Sequence, residues 1–508
     1  MIFNSIPFVI FLPIAFLIYW LIGHKRTKVQ NIFLLVASYF FYGWWDWRFL
    51  GLIFLTTLMD YWLGIRISHS PTPSVRKILV VVSVFFNLMV LAVLKYFNFF
   101  WESFQCLAAV FGFETTLPIW KVLLPAGISF YTFQSMAYII DIYRREIDCE
   151  YDFIRYATFV AYFPQLVAGP IGRAKNLLPQ IRKLGMDRLP TVQQIREGVC
   201  LVLWGYFLKV FIADNMARIV DVYFSVGREQ TKYLTINPPD PFIFDNPNFS
   251  PILSQLGLQI TSPEICMFLL AFAIQIYGDF AGYSNIARGI AKFFGVELMV
   301  NFRQPYLAQN PSDFWQRWHI SLSSWFRDYL YIPLGGNRVG GVQKILNLGI
   351  TMFLAGLWHG ATWTFVLWGF YHAVLLGGYH GLRMLVPLHR FKNKVMNLLS
   401  KIFMFVLTLY GWLIFRSKNF AQLKYFTEQL LHNFRLPAAQ YLQEFQIRLF
   451  WVLLFFIIVM STDIILAHKK TEYLFTFTKP QDYFGAIVVL FFIIMFGGQS
   501  EAFIYFRF

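Results

Sequence analysis

What most constrains this chain is a succession of apolar runs, each near the ~20 residues that cross a ~30 Å hydrocarbon layer as helix. They fall near 6–22, 31–45, 49–65, 78–95, 98–113, 122–140, 156–170, 197–213, 265–278, 345–358, 360–378, 399–415, 449–467 and 484–498. Several are short or interrupted by Pro and Gly, so about 10 to 13 true spans are expected, with one or two re-entrant or interfacial pieces. A chain of 508 residues that is 57% hydrophobic and 14% charged has the wrong proportions for soluble domains. A β-barrel would need alternating strands of ~10 residues, which the sequence lacks. The expectation is an all-α polytopic membrane protein. No period of about 20 to 50 residues and no low-complexity linker divides it, so residues 1–508 read as a single membrane domain.

The first run lacks a basic n-region and an Ala-x-Ala-like cleavage site, and reads as a retained helix rather than a signal peptide. Lys25, Arg26 and Lys28 mark its exit, the next turn holds only Arg48, and the third connection carries Arg66, Arg76 and Lys77. The positive-inside rule then places the first and third connections in the cytoplasm and the N-terminus outside. The net charge of +16 is concentrated in connections, which suits a membrane surface and its lipids and not nucleic acid. Cys106, Cys149, Cys200 and Cys266 show no CxxC spacing; they read as small hydrophobes, with neither disulfide nor metal expected. A proline-rich, acidic insertion covers about 225–262, and a basic stretch at 171–196, with Arg173, Lys175, Arg182, Lys183, Arg188 and Arg196, is expected in the cytoplasm.

The segment 296–344 interrupts the spans and contains FWQRWHISLSSWFRDYLYIPLGGNR. Asn310 can cap, Pro311 suits the first helical position and Asp313 favours the positive helix end, while Pro333 and the following Gly-Gly-Asn stop the helix. Between these marks Trp315, Trp318, Leu322, Trp325, Phe326 and Tyr329 fall on one helical face, and Arg317, Ser321, Ser324 and Asp328 on the other. This predicts one amphipathic interfacial helix with His319 near the edge of its apolar face. His359 lies deeper, in FLAGLWHGATWTFVLWGFYH, within a stretch from Ile345 to Leu376 with no Asp, Glu, Lys or Arg, where His359 and His372 are the only side chains that titrate near neutral pH. That stretch would be ~48 Å long as straight helix, so a break is expected at Gly356, Gly360 and Thr362.

Ionisable groups deep in a membrane line pathways or sites, and a neutral imidazole is both cheap to bury and able to accept a proton. HExxH, GxSxG, Walker A and GxGxxG do not occur. A pair of carboxylates, Asp141 and Asp279, is a further option, each near a span end. One or two histidines without a nucleophile motif suit direct group transfer, in which a base takes the proton of an alcohol attacking an activated carbonyl. Proton-coupled transport fits the same residues.

The segments FWQRWHISLSSWFRDYLYIPLGGNR, GLWHGATWTFVLWG, LPAGISFYTFQSMAYIIDIYRR, YFPQLVAGPI and QIYGDFAGYSNIARGIAKFFG resemble the signature segments of the membrane-bound O-acyltransferases. The similarity runs nearly the whole chain and is nearest to the branch that acetylates alginate and other exported polysaccharides. It implies a ring of helices around a thinned, funnel-shaped centre, with acyl donor entering from the cytoplasm and acceptor from outside. It also implies catalytic roles for His319 and His359, the latter as general base. Acetyl-CoA is the implied donor and a substrate, not a bound cofactor, and a separate extracytoplasmic esterase-like protein is the implied partner. Trp315, Arg317, Trp318, Ser323, Arg327, Asp328, Arg338, Trp358, Asp279 and Tyr283 are the candidate substrate-binding residues; for the arginines, lipid headgroups are the alternative partner. The expected setting is a bacterial inner membrane. D-alanyl transfer to teichoic acid and a proton-coupled polysaccharide or ion transporter are the competing expectations.

Overall fold

The computed structural model describes residues 1–23, 26–113, 124–167, 169–184, 190–224, 260–385 and 393–497. The 225–262 insertion, except for its last three residues, lies outside the described residues, as do Lys25, Arg188 and residues 498–508. The described residues form helices joined by turns and extended segments. In chain order the helices are α1 (Ile6–Leu21), α2 (Thr27–Gly43), α3 (Phe49–His69), α4 (Pro73–Leu91), α5 (Phe97–Val110), α6 (Ile128–Tyr143), α7 (Phe153–Ala161), α8 (Phe163–Leu166), α9 (Ala174–Lys183) and α10 (Val192–Tyr206). They continue with α11 (Asp214–Phe224), α12 (Ser262–Phe293), α13 (Pro311–Arg317), α14 (Ile320–Phe326), α15 (Gly341–His359), α16 (Trp363–Leu385), α17 (Lys394–Arg416), α18 (Phe420–His432), α19 (Ala439–Lys469) and α20 (Pro480–Phe496).

Among the described residues six helical stretches are long and apolar enough to cross a bilayer, and α1 and α20 are shorter apolar helices. The protein is therefore a multi-pass membrane protein. The runs at 78–95 and 98–113, separate in sequence, join into one stretch, Pro73–Val110, of 38 residues. A π-helical turn at Ala92–Tyr96 links α4 to α5 within it. The run at 156–170 breaks into α7 and α8, too short to span.

At the centre lies α12, buried along most of its length, including its polar residues Gln275, Asp279, Arg288 and Lys292. It packs closely against α10 because glycines face each other: a Cβ on Gly205 would lie 2.7 Å from the Gly282 carbonyl oxygen, and one on Gly282 would lie 2.7 Å from that of Gly205. The same logic closes the hairpin of α15 and α16. A Cβ on Gly356 would strike the Phe365 carbonyl oxygen, and one on Gly369 that of Met352. The expected break is present: α15 ends at His359, Gly360 is extended, and α16 starts at Trp363. Gly356, however, stays helical and instead lets α16 approach closely.

Two large apolar clusters meet along α12. One includes Phe130, Phe280, Leu322, Trp325 and Trp358, the other Trp318, Trp368, Trp412 and Phe415. The short helices α13 and α14 lie at this junction and carry His319 into it.

Candidate functional site

The start of α13 is as the sequence implies: Asn310 Oδ1 accepts the Asp313 N–H at 2.9 Å and Pro311 is the first helical residue. The single amphipathic helix is not formed. Instead α13 stops at Arg317, His319 takes a left-handed conformation with φ 44° and ψ 54°, and α14 starts at Ile320. No Gly or Pro marks this break; its cause is tertiary. The extended segment before α13 pairs with the turn, the Arg303 N–H donating to the Arg317 carbonyl at 3.0 Å and the Ile320 N–H to the Asn301 carbonyl at 2.9 Å. Asn301 Oδ1 also accepts the Ser321 hydroxyl at 2.7 Å and the Ser321 N–H at 3.2 Å, with His319 Nδ1 3.4 Å away. A left-handed non-glycine residue costs of order 1–3 kcal/mol and persists where its surroundings over-determine it. Here they hold the His319 side chain fully buried, at 0% exposure.

Asn301 is thus the residue on which the turn depends, and sequence inspection passed over it. Asn301→Leu leaves the buried Ser321 donors without their acceptor, at an expected cost of about 1–3 kcal/mol. The check is the thermal midpoint of the purified protein in detergent; an unchanged midpoint would mean that the turn stands without Asn301.

His359 is the last residue of α15 and is also buried. Its ring centroid is 6.5 Å from that of His319, and Trp358 edges against both rings, at 5.6 Å from His319 and 5.1 Å from His359. Phe280 closes the His319 side at 4.6 Å; Trp368 and Phe415 close the His359 side at 5.0 and 5.4 Å. Beyond Trp368 lies His372, 4.7 Å from its ring and stacked on Phe314, within the aromatic packing.

Two cavities lie along α15, and His359 lines one of them. A cavity of about 450 Å³ is lined by Trp315, Ser323 and Arg327 and by Leu348, Met352 and Ala355 of α15. A smaller one of about 80 Å³ lies at the C-terminal end of α15, lined by Trp358 and His359 together with Trp45, Lys95, Ser129 and Phe130. Lys95 is a second residue the sequence reading missed. It comes from the π-helical turn between α4 and α5 and donates to the Trp358 carbonyl at 2.7 Å and the His359 carbonyl at 3.4 Å. Its neighbour Tyr96 donates to the Leu357 carbonyl at 2.8 Å. These donors satisfy the terminal carbonyls of α15 and fix the residue that carries the second histidine.

The other candidates divide. Trp315, Ser323 and Arg327 line the large cavity, and Trp358 the small one. Trp318 is core, packed on Trp412 at 4.8 Å and Phe302 at 5.0 Å. Arg317 is held by Asp313 at 2.6 Å, and Arg338 is exposed in the turn after Pro333; neither lines either of these two cavities. Asp328 pairs with Arg327 at 2.8 Å and Arg173 at 3.3 Å. Ser321 and Ser324 join this arrangement: the Ile171 N–H donates to Ser321 Oγ at 3.0 Å and Arg173 to Ser324 Oγ at 3.4 Å. The face expected to meet water is therefore turned onto the 171–173 segment, where burial pulls the Arg173 guanidinium below its ordinary range against Tyr329 and Asp328.

Asp279 and Asp141 do not form a carboxylate pair. Asp279 lies 2.9 Å from Lys209, which also holds Asp214 at 2.7 Å, all of them buried. Asp141 accepts the Tyr329 hydroxyl at 2.7 Å. Tyr283 stacks on Phe3 at 4.5 Å and packs the N-terminus. Among the described residues no group of His, Cys, Asp and Glu is arranged to hold a metal ion.

Residues 252–416, which contain α12 to α17 and both histidines, match the sequence profile of MBOAT, the membrane-bound O-acyltransferase family. The probable alginate O-acetylase AlgI of Azotobacter vinelandii is 39% identical over 422 residues, 82% of this chain and 76% of the relative. The peptidoglycan O-acetyltransferase of Helicobacter pylori is 32% identical over 450 residues, 82% of this chain and 77% of the relative. The teichoic acid D-alanyltransferase of Bacillus subtilis is 24% identical over 303 residues, 58% of this chain and 69% of the relative.

Proposed function

The chain belongs to the membrane-bound O-acyltransferase family, and on that premise we propose that it moves an acetyl group from acetyl-CoA to a hydroxyl during O-acetylation of an exported, alginate-like polysaccharide. The observation that carries this reading is the burial of His319 and His359 side by side, His359 on the wall of the small cavity, with the large cavity along the preceding turns of the same helix α15. A centroid separation of 6.5 Å lets both rings touch one small acyl group. His359 takes the proton of the acceptor hydroxyl as its oxygen attacks the thioester carbonyl; the thiolate then leaves and receives that proton. His319, fixed through the Asn301 turn, orients the reacting group. Most of the rate gain comes from holding donor and acceptor together in a dry site.

The large cavity suits the donor. Arg327 lines it, and Arg144 and Arg173 bond Asp328 beside it, the Asp328 carbonyl accepting from Arg144 at 3.2 Å. Arg76 in turn donates to the Tyr143 carbonyl at 2.6 Å. This basic face is cytoplasmic under the positive-inside rule, and the small cavity, beside Trp45 and a turn with Arg48 alone, opens on the other side. The N-terminus then lies outside a bacterial inner membrane, and an extracytoplasmic esterase-like partner receives the acetyl group. The O-acetylating relatives are similar over more of the chain than the D-alanylating one, which favours acetyl.

Purified protein given radiolabelled acetyl-CoA and a uronate oligomer is expected to release CoA and form a base-labile acetyl ester or, with water as acceptor, acetate. Turnover confined to a D-alanyl carrier protein would overturn the acetyl assignment.

A further inference from the structure

Lys95 does more at the small cavity than a helix end requires. Neighbouring Tyr96 satisfies the Leu357 carbonyl with a neutral hydroxyl, so capping alone does not call for a cation. Among the described residues Lys95 forms no ion pair; its two hydrogen bonds go to the Trp358 and His359 carbonyls. The negative end of α15 offsets part of the charge. An ammonium carries three donors, so one remains beyond these two bonds. The side chain lines the small cavity together with His359 and Ser129. A charge in a membrane segment without a carboxylate is costly; such groups pair with backbone carbonyls, as Lys95 does, and mark substrate or ion pathways. The cavity, at about 80 Å³, has room for a short acyl group beside His359.

Resting on the acyl-transfer reading above, we propose that Lys95 is a catalytic residue that holds the oxyanion formed at the acyl carbonyl. The acceptor oxygen bonds to the carbonyl carbon as its proton passes to the His359 ring, and the carbonyl π pair moves onto oxygen. The Lys95 ammonium donates a hydrogen bond to that oxygen. Collapse restores the C=O, the C–S bond breaks, and the thiolate leaves with its electron pair and takes the proton from His359. Removing a single donor to such an oxyanion costs about 10²–10³-fold in kcat.

Lys95→Gln keeps a donor for the α15 carbonyls and removes the charge, and Lys95→Arg keeps the charge. The assay uses whichever thioester the wild-type protein turns over, acetyl-CoA or a D-alanyl carrier. Lys95→Gln is expected to lose about 10²-fold in kcat at a KM within a few-fold of wild type, with Lys95→Arg recovering at least a tenth of the wild-type kcat. A trifluoromethyl ketone analogue of the same donor, whose hydrate mimics the tetrahedral stage, is expected to lose its excess affinity in Lys95→Gln alone. Wild-type kcat in Lys95→Gln, or equal loss in both variants with unchanged analogue binding, would overturn the role of Lys95 and leave the acyl-transfer reading standing. A wild-type protein that turns over neither thioester would take down both.

Discussion

His359→Gln is expected to lower kcat for acyl transfer by about 10³-fold while donor affinity stays within a few-fold of wild type. His359 ends α15, its carbonyl is fixed by Lys95, and its ring is enclosed by Trp358, Trp368 and Phe415 on the wall of the small cavity. Gln preserves much of the volume and a hydrogen-bonding end, so the packing of the hairpin survives. It cannot act as a base near neutral pH. The large cavity, where the donor is placed, does not include His359, which is why KM should hold. Steady-state kinetics with labelled donor check this; a kcat within ten-fold of wild type would remove His359 from the chemistry.

Lys209→Met is expected to destabilise the bundle by about 3–5 kcal/mol. Lys209 lies in the π-helical turn Phe207–Ala213 between α10 and α11, within hydrogen-bond distance of both Asp214 and Asp279, and all three are nearly fully buried. Removing the cation leaves two carboxylates deep in the protein with their main partner gone. The cost is the loss of a partner, not the worth of the pair itself. Lys209→Met combined with Asp214→Asn and Asp279→Asn should therefore regain most of the lost thermal midpoint. Turnover by that triple variant would also show that Asp279 serves structure; a folded but inactive triple variant would return Asp279 to the site.

Those features that depend on length and local chemistry were legible in the sequence. The buried stretch around His359 is too long for one helix, and it breaks at Gly360. Asn310, Pro311 and Asp313 announce the start of α13, and Pro333 follows the last helical turn before the glycines. Features set by contacts between distant residues were hidden. The turn at His319 exists because Asn301 and Ser321 bond across it, and helical periodicity carried straight through. Lys95 meets His359 over 264 positions, and at the end of an apolar run it looks like any snorkelling lysine. Asp279 and Tyr283 sit in a signature segment, yet one is bound in an ion cluster and the other packs on Phe3. A spacing pattern does not distinguish a side chain that holds the fold from one that faces a cavity.

Acyl transfer across the membrane through the histidine pair is tested most directly in sealed proteoliposomes loaded with radiolabelled acetyl-CoA and bathed in a uronate oligomer. Label is expected to leave the vesicles as acetyl ester or acetate while CoA stays inside, and His359→Gln is expected to abolish this release. Label confined with CoA to the vesicle interior, or release as fast from His359→Gln as from wild type, would contradict it.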